Sequence, residues 1–222
     1  MVRALAAVMG ALVLEVSAEC QRRTPPEEFT VSVPAPPPAA PVEATAAAAP
    51  STSAQPPDPV YPPGRCVLRT PATPPPPVPA GPAPGCPADP DPALARLPSA
   101  RVTFPATVGV TVDAEVVRSP HDTQRGLMYR RHMDEKSGML FDLGFRDDHK
   151  FWMHNTCIPL DLLYVDDDGL IVGIVENAPT LDDESRGVGC PSRWVLEVNA
   201  GWARRHGVRA GQRTSVPSEG IP

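Results

Sequence analysis

The stretch Leu162-Leu-Tyr-Val-Asp-Asp-Asp-Gly-Leu-Ile-Val-Gly-Ile-Val175 decides the fold of this 222-residue chain. Two short apolar runs, 162–165 and 170–175, flank an Asp-Gly pair, and apolar runs bounded by turn residues are typical of buried strands. Because Asp-Gly favours a tight turn, the sequence predicts an antiparallel hairpin here. We interpret the acidic run 166–168 as part of the turn, since a calcium loop needs more ligands and a distal Glu.

Further strand-like patterns lie on both sides of the hairpin. Alternating apolar and polar residues predict a half-buried strand at 107–117. Apolar runs predict shorter strands at 138–141, 150–153 and 194–198, with a last edge strand at 212–216. We interpret the acidic run 182–184 as an exposed loop.

Two short helices complete the pattern. Ser119 and Pro120 are typical of an N-cap and a first helical residue, so a helix is expected from there to Arg125. Asn199 is expected to cap a second helix that runs through Arg205. Together these elements predict a mainly β fold, a small β-sandwich or partly open barrel with two short helices.

Proline separates this domain from the residues before it. Of the 32 prolines, 25 lie between residues 24 and 98. Proline lacks the backbone donor that helices and central strands need, and the window holds few large apolar groups. We therefore expect a disordered Pro/Ala-rich linker over 21–98 and a single β-rich domain over 99–222. The linker is interpreted as a polyproline II spacer, and a ligand for a proline-binding module is the alternative.

Residues 1–20 resemble an export signal. Arg3 precedes an apolar run from 4 to 14, and small residues end at Ala18. Cys20 stands where a bacterial lipoprotein is lipidated, although Glu19 departs from that pattern. Lipidation of Cys20 and cleavage after Ala18 therefore both remain open. We expect an exported protein of the periplasm or the membrane-anchored cell envelope.

The charge and composition limit the partners. The formal net charge of −6 argues against a nucleic-acid partner. No apolar run is long enough to span a membrane, so membrane attachment is expected only through a lipid at the N-terminus. We expect a monomer that binds an unknown polar ligand or envelope component.

The cysteines predict a disulfide. Cys157 and Cys190 both lie beside specific motifs in the domain, and an exported domain meets an oxidising compartment. We predict that these two residues pair with each other. Cys66 and Cys86 lie in the linker and could close a loop there.

A ligand site is predicted from arginine and aromatic residues. Arg125 and Arg130 offer guanidinium groups that suit carboxylate or phosphate, and Trp152 offers a stacking face. Asn155 and Thr156 add hydrogen-bonding groups to this predicted ligand-binding set. The alternative is structural: Asn155 and Thr156 satisfy loop backbone groups, and Asp161 pairs with Arg125 or Arg130.

Three carboxylates are the weaker candidates for catalysis. Glu115 and Glu197 each lie within a predicted strand and could form a paired acid–base site, and Asp161 is a third candidate. No nucleophile–base relay is recognisable. We expect no cofactor and no metal, because the methionines at 128, 139 and 153, which could suggest copper, lie in apolar segments where methionine commonly fills core gaps.

Four segments carry a family resemblance. They are Gln124-Arg-Gly-Leu-Met-Tyr-Arg130, Gly138-Met-Leu-Phe141, Phe151-Trp-Met-His-Asn-Thr-Cys-Ile-Pro-Leu-Asp161 and Val195-Leu-Glu-Val-Asn-Ala-Gly-Trp202. In this order they resemble the bacterial and archaeal domain-of-unknown-function family 192, over about 104–216. The resemblance implies a compact β-rich domain, often behind a signal or lipoprotein leader, with no established activity. We therefore expect a tethered binding or accessory module for a polar ligand, glycan or partner, with an envelope hydrolase that uses paired carboxylates as the alternative.

Overall fold

The computed structural model describes residues 61–92 and 97–216. Within these residues the chain forms two short helices and eight strands, which confirms the mainly β prediction. The elements are β1 (Ser99–Thr103), β2 (Thr111–Val117), α1 (Pro120–Arg125), β3 (Ser137–Asp147), β4 (Phe151–Met153), β5 (Leu160–Val165), β6 (Ile171–Ala178), β7 (Asp182–Arg186), β8 (Ser192–Asn199) and α2 (Trp202–Arg205). The predicted leader and lipidation residue Cys20 lie outside the described residues.

Six strands form one sheet in the order β1-β2-β3-β8-β5-β6, and β4 pairs with β7 separately. The β2–β3 pair is parallel and the other pairs are antiparallel. The C-terminal segment forms one bridge at each edge of the sheet. Ser215 pairs with Thr103 at the β1 edge, and Arg213 pairs with Leu170 just before β6. Over residues 97–216 single bridges of this segment are what join the two edges, so the sheet is not closed there.

Both faces of this sheet are covered by apolar side chains. Successive residues of a strand point to opposite faces, and Trp194 and Leu196 of β8 pack in one cluster while Val195 packs in the other. All six residues of β5 are buried, as expected for a strand between two cores. Any polar side chain on these strands therefore sits in apolar surroundings.

The predicted β5–β6 hairpin is confirmed. Its turn is closed by hydrogen bonds from the backbone N–H of Asp166 to the oxygen of Leu170 and from that of Gly169 to the oxygen of Asp166. Gly169 has φ +79°, and a Cβ there would lie 2.3 Å from a carbonyl oxygen of Thr214. Glycine is therefore required both by the backbone conformation and by the close approach.

The two helices begin differently. Ser119 caps α1 as predicted, because its hydroxyl accepts the backbone N–H of Asp122 at 3.0 Å. The prediction that Asn199 caps α2 is wrong. Gly201 occupies the cap position, and Asn199 still belongs to β8, where its side chain donates to the carbonyl of Met133.

Some strand boundaries differ from the prediction. Residues 107–110 form a turn that is closed by a hydrogen bond from the backbone N–H of Val110 to the backbone oxygen of Thr107. Strand β2 therefore begins only at Thr111. The acidic run expected to be a loop belongs to β7, which pairs with β4. Strand β7 is short and consists mostly of exposed charged residues, so it shows no apolar periodicity that would predict a strand. Its pairing depends instead on the neighbouring strand β4.

The segment 61–92 lies along the domain, although the sequence predicted a disordered linker as far as residue 98. We call it the tether segment. Its backbone is held by hydrogen bonds from Leu68 to Val172 and from Ala83 to Cys157, each 2.8 Å long. Proline lacks a backbone donor but keeps its carbonyl acceptor. Arg204 donates to the carbonyl of Pro71 and to those of the next two residues, Ala72 and Thr73.

Two disulfides anchor the tether segment. Cys66 bonds to Cys190 and Cys86 bonds to Cys157. The prediction that Cys157 and Cys190 pair with each other is therefore wrong, as is a loop closed between Cys66 and Cys86. The tether segment folds back over the domain and brings each of its cysteines to a different domain cysteine, with Cα atoms 5.4 Å apart in both pairs.

Candidate functional site

Two of the quoted motifs meet beside α1. A β-bridge joins Met128 to Thr156, and the backbone N–H of Tyr129 donates to the oxygen of Asn155 at 2.8 Å. The Asn155 side chain donates in turn to the Tyr129 hydroxyl at 3.0 Å. Both residues have a positive φ, 64° for Tyr129 and 51° for Asn155, which is uncommon outside glycine. Their mutual hydrogen bonds hold this strained junction in place.

Arg125 ends α1 at this junction. Its guanidinium lies over the Tyr129 ring, 5.2 Å from the centroid, and its side chain is only 15% exposed. One nitrogen of the same group, Nη2, donates to both carboxylate oxygens of Asp89 at 2.7 Å. This hydrogen bond from Arg125 lowers the pKa of Asp89 below its ordinary value. The guanidinium of Arg125 is therefore already hydrogen-bonded to a carboxylate of the tether segment.

Arg130 has its own carboxylate partner. Its guanidinium contacts Glu115 of β2 at 2.5 Å, and both side chains are about one-third exposed. The expectation that Asp161 pairs with Arg125 or Arg130 is therefore wrong. The two arginines, Glu115 and Asp89 line one cavity of about 420 Å³, together with Leu97, Asp122, Gly126, Met128, Tyr129 and Met139. We call it the Arg125 cavity.

Trp152 and Asn155 lie next to this cavity. Trp152 is exposed and stacks on His154, whose ring nitrogen lies 2.7 Å from a carboxylate oxygen of Asp183. A neighbouring open depression is lined by Trp152, Asn155, Arg125 and Tyr129 among others. Thr156 is buried and its hydroxyl donates to the oxygen of His154. The structure thus gathers Arg125, Arg130, Trp152 and Asn155 on one surface, with Thr156 beneath it.

Asp161 lies away from these groups and has a structural role. Its carboxylate accepts the backbone N–H groups of Asn177, Gly201 and Ala203 at 2.9 to 3.0 Å, which holds the start of α2 against β6. Burial raises the pKa of Asp161 above its ordinary value, and the three backbone donors oppose that rise.

Glu197 has a different environment. It pairs across the sheet with Met139 on β3, and Met139 pairs with Glu115 on β2, so Glu115 and Glu197 flank Met139 on one face. Two strand spacings separate them, roughly 10 Å between Cα atoms. Glu197 is 4% exposed, and burial raises its pKa to about 8. It lines a second cavity of about 310 Å³, which we call the Glu197 cavity.

Of the three methionines expected to pack in the core, Met139 and Met153 are buried in the cluster around Tyr164. Met128 is only half-buried and lines the Arg125 cavity, so the expectation is wrong for that residue. Among residues 61–92 and 97–216, no group of three or more His, Cys, Asp or Glu side chains could hold a metal ion. Across the same residues, none of the helices has the length and apolar character that crossing a membrane requires.

Two participants in the site were missed by the sequence predictions. Asp89 lies in the Pro-rich window, where nothing in the local pattern distinguishes it from other exposed acids. Tyr129 lies within the segment 124–130 quoted above, next to Met128. Its place in a family motif could therefore have marked it as a site residue, although a tyrosine by itself does not. Both contact Arg125.

Comparison with known proteins supports the family prediction. Residues 102–216 match the model of family DUF192, described as "Uncharacterized ACR". A search of curated proteins found no match.

Two solved structures are similar to this chain. A candidate transcription regulator from Sinorhizobium meliloti 1021 is 36% identical, with a TM-score of 0.53, over 55% of this chain and 97% of that protein. A protein of unknown function from Novosphingobium aromaticivorans DSM 12444 is 30% identical, with a TM-score of 0.51, over 58% of this chain and 91% of that protein. The family model spans more than half of the chain and includes every motif that builds the site. The chain belongs to the DUF192 family.

Proposed function

We propose that this protein is an exported envelope protein whose domain binds a carboxylate-bearing polar ligand beside Arg125. One observation carries the proposal: a largely buried guanidinium at the wall of a 420 Å³ cavity takes both oxygens of a carboxylate. Arginine is suited to such recognition because its donors are held in a planar fork. In this proposal Asp89 stands in for the ligand carboxylate.

The disulfides of the tether segment support export of the protein to the cell envelope. Two disulfides fit an oxidising environment outside the cytoplasm. The intact mass of the mature protein tests the leader: a diacylated Cys20 N-terminus supports a lipoprotein, and an N-terminal Glu19 contradicts it. A net charge of −6 gives little electrostatic attraction to DNA, so a transcription-regulator role like that named for the Sinorhizobium meliloti protein is not favoured for this chain.

Removal of the Asp89 carboxylate tests the ligand site. In the Asp89→Ala variant, with both disulfides intact, an internal competitor of about millimolar effective concentration is lost. If the closed Asp89–Arg125 contact is favoured by about 1.5 kcal/mol, its loss should let succinate bind this variant about tenfold more tightly than the wild type, measured by isothermal titration calorimetry.

A matched second change identifies the guanidinium. Arg125→Lys in the Asp89→Ala background keeps the positive charge and removes the planar guanidinium, whose Nη2 contacts both carboxylate oxygens of Asp89, so most of the gain should disappear. Equal succinate affinity in wild type, Asp89→Ala and the double variant would refute a ligand site at Arg125. Inorganic phosphate, titrated in parallel, tells a carboxylate site from a general anion site.

The hydrolase alternative rests on the shared face of Glu115 and Glu197. A paired-carboxylate mechanism needs both groups. Release of nitrophenol from chromogenic glycosides, abolished by either Glu115→Gln or Glu197→Gln, would favour this alternative over a binding module.

A further inference from the structure

Glu197 is the buried acid that the Arg125 site does not use. Its neighbours across the sheet are Met139 and Leu162, and its side chain lies on the face that packs around Phe141. Within the part of the chain that the structure describes, burial acts on its carboxyl group and no hydrogen-bond or ion-pair partner does. The side chain is 4% exposed, yet its oxygens are not fully enclosed, so a mostly buried carboxyl group without a partner points to an opening at this place.

The Glu197 cavity supplies one. Buried Leu127 and Phe141 line it together with Glu197, while exposed Gln124 and Lys150 line it as well. It therefore extends from the apolar face of the sheet to the surface. A volume of about 310 Å³ is at the lower end of the range for small-molecule cavities, about 300 to 1,000 Å³.

The chemistry of the lining selects the ligand. Burial keeps the Glu197 carboxyl group neutral at neutral pH, since its pKa is raised to about 8, so it offers an O–H donor. A cationic ligand is disfavoured because Arg125 and Lys150 line the same cavity. An anion next to Glu197 is disfavoured by the apolar wall, which cannot replace its hydration.

We propose that the Glu197 cavity is a second binding site, for a small compound with an apolar body and one hydrogen-bond-accepting oxygen that the Glu197 carboxyl group engages. The apolar body packs against Leu127 and Phe141. Arg125 borders this cavity as well as the Arg125 cavity, but Asp89 lines only the latter, so the contacts proposed with Glu197, Leu127 and Phe141 do not involve the Asp89 carboxylate. Glu197 acts here as a binding residue that contacts the ligand.

Two probes test the site on the full chain with both disulfides formed. Dicyclohexylcarbodiimide is apolar and reacts with protonated carboxyl groups, so peptide mass mapping should find one stable acylurea adduct on Glu197. Glu197→Gln should lose that adduct. Cyclohexanone, which has an apolar ring and one carbonyl oxygen, should slow the labelling of the wild type.

Variants at Glu197 separate the hydrogen bond from the apolar fit. Glu197→Gln keeps a donor of the same size, whereas Glu197→Met fills the space without one. In ligand-observed NMR titrations, we expect wild type and Glu197→Gln to bind cyclohexanone alike, and Glu197→Met to bind it about tenfold more weakly, as one lost hydrogen bond implies. Equal affinity in Glu197→Met, or a wild type that takes no label at Glu197, would overturn the proposal.

Discussion

Replacing Glu197 with Gln should change how the stability of the fold depends on pH. The substitution keeps the side-chain shape and removes the titration. Glu197 is buried on the apolar face of the central sheet, and burial raises its pKa from an ordinary 4.5 to about 8. Below pH 4.5 the carboxyl group is neutral in both the folded and the unfolded chain, so it contributes no pH dependence there.

The magnitude follows from that interval. Between pH 4.5 and 8 the unfolded chain ionises Glu197 and the folded chain does not, so the folded state loses relative stability as pH rises. Each pKa unit is worth about 1.4 kcal/mol, which gives roughly 5 kcal/mol as the upper value for the whole interval. Local relaxation and water entry reduce such penalties, so we expect about 2 to 5 kcal/mol.

Urea unfolding at pH 5, 6, 7 and 8 measures this difference. The free energy of unfolding of Glu197→Gln, minus that of the wild type, should grow steadily with pH across this range. Glu115→Gln is the matched control, because it also replaces a carboxylate with an amide but at a partly exposed site paired with Arg130. If the difference for Glu197→Gln were constant from pH 5 to 8, the carboxyl group would ionise normally in the fold and the reasoning would be refuted.

Three further predictions concern the stability of the fold. Gly169→Ala should lower the free energy of unfolding in urea by more than about 2 kcal/mol, because the new Cβ would lie 2.3 Å from a carbonyl oxygen. Gly144→Ala is the control: Gly144 also has a positive φ but faces open space, so its replacement should cost about 1 kcal/mol. Replacing Cys86 and Cys157 together with Ser should cost about 4 kcal/mol, since the sequence separation is 71, and an unchanged thermal midpoint would contradict this. Asp166→Asn should cost about 3 kcal/mol at pH 7 because it breaks two arginine contacts at a buried carboxylate. The burial of Asp166 is outweighed by hydrogen bonds that lower its pKa, so the cost should shrink as pH falls below 4.

Local chemistry explains which parts of the fold could be predicted. The hairpin follows from two apolar runs around Asp-Gly, and the start of α1 follows from Ser119 and Pro120, because turns and caps depend on a few neighbouring residues. The start of α2 was misplaced because Asn199 is held in β8 by its contact with Met133, which is distant in sequence. Strand β7 was missed because its residues carry no periodic apolar signal.

The site shows the same division. The sequence by itself determined that Arg125, Arg130, Trp152 and Asn155 are available for binding, because residue type sets what a side chain can donate or stack. Only the tertiary structure decided that the Asp89 carboxylate is hydrogen-bonded to the Arg125 guanidinium, since that contact joins residues 36 positions apart.

The same holds for the acids and the cysteines. Glu197 and Asp161 are both acids in strands. Among the described residues Glu197 has no partner and lies beside a cavity, whereas Asp161 accepts three backbone N–H groups. The export-like leader predicted that the domain cysteines would form a disulfide, but the path of the tether segment decided which cysteines pair. Burial and long-range contacts arise only when distant parts of the chain pack together, so no local pattern records them.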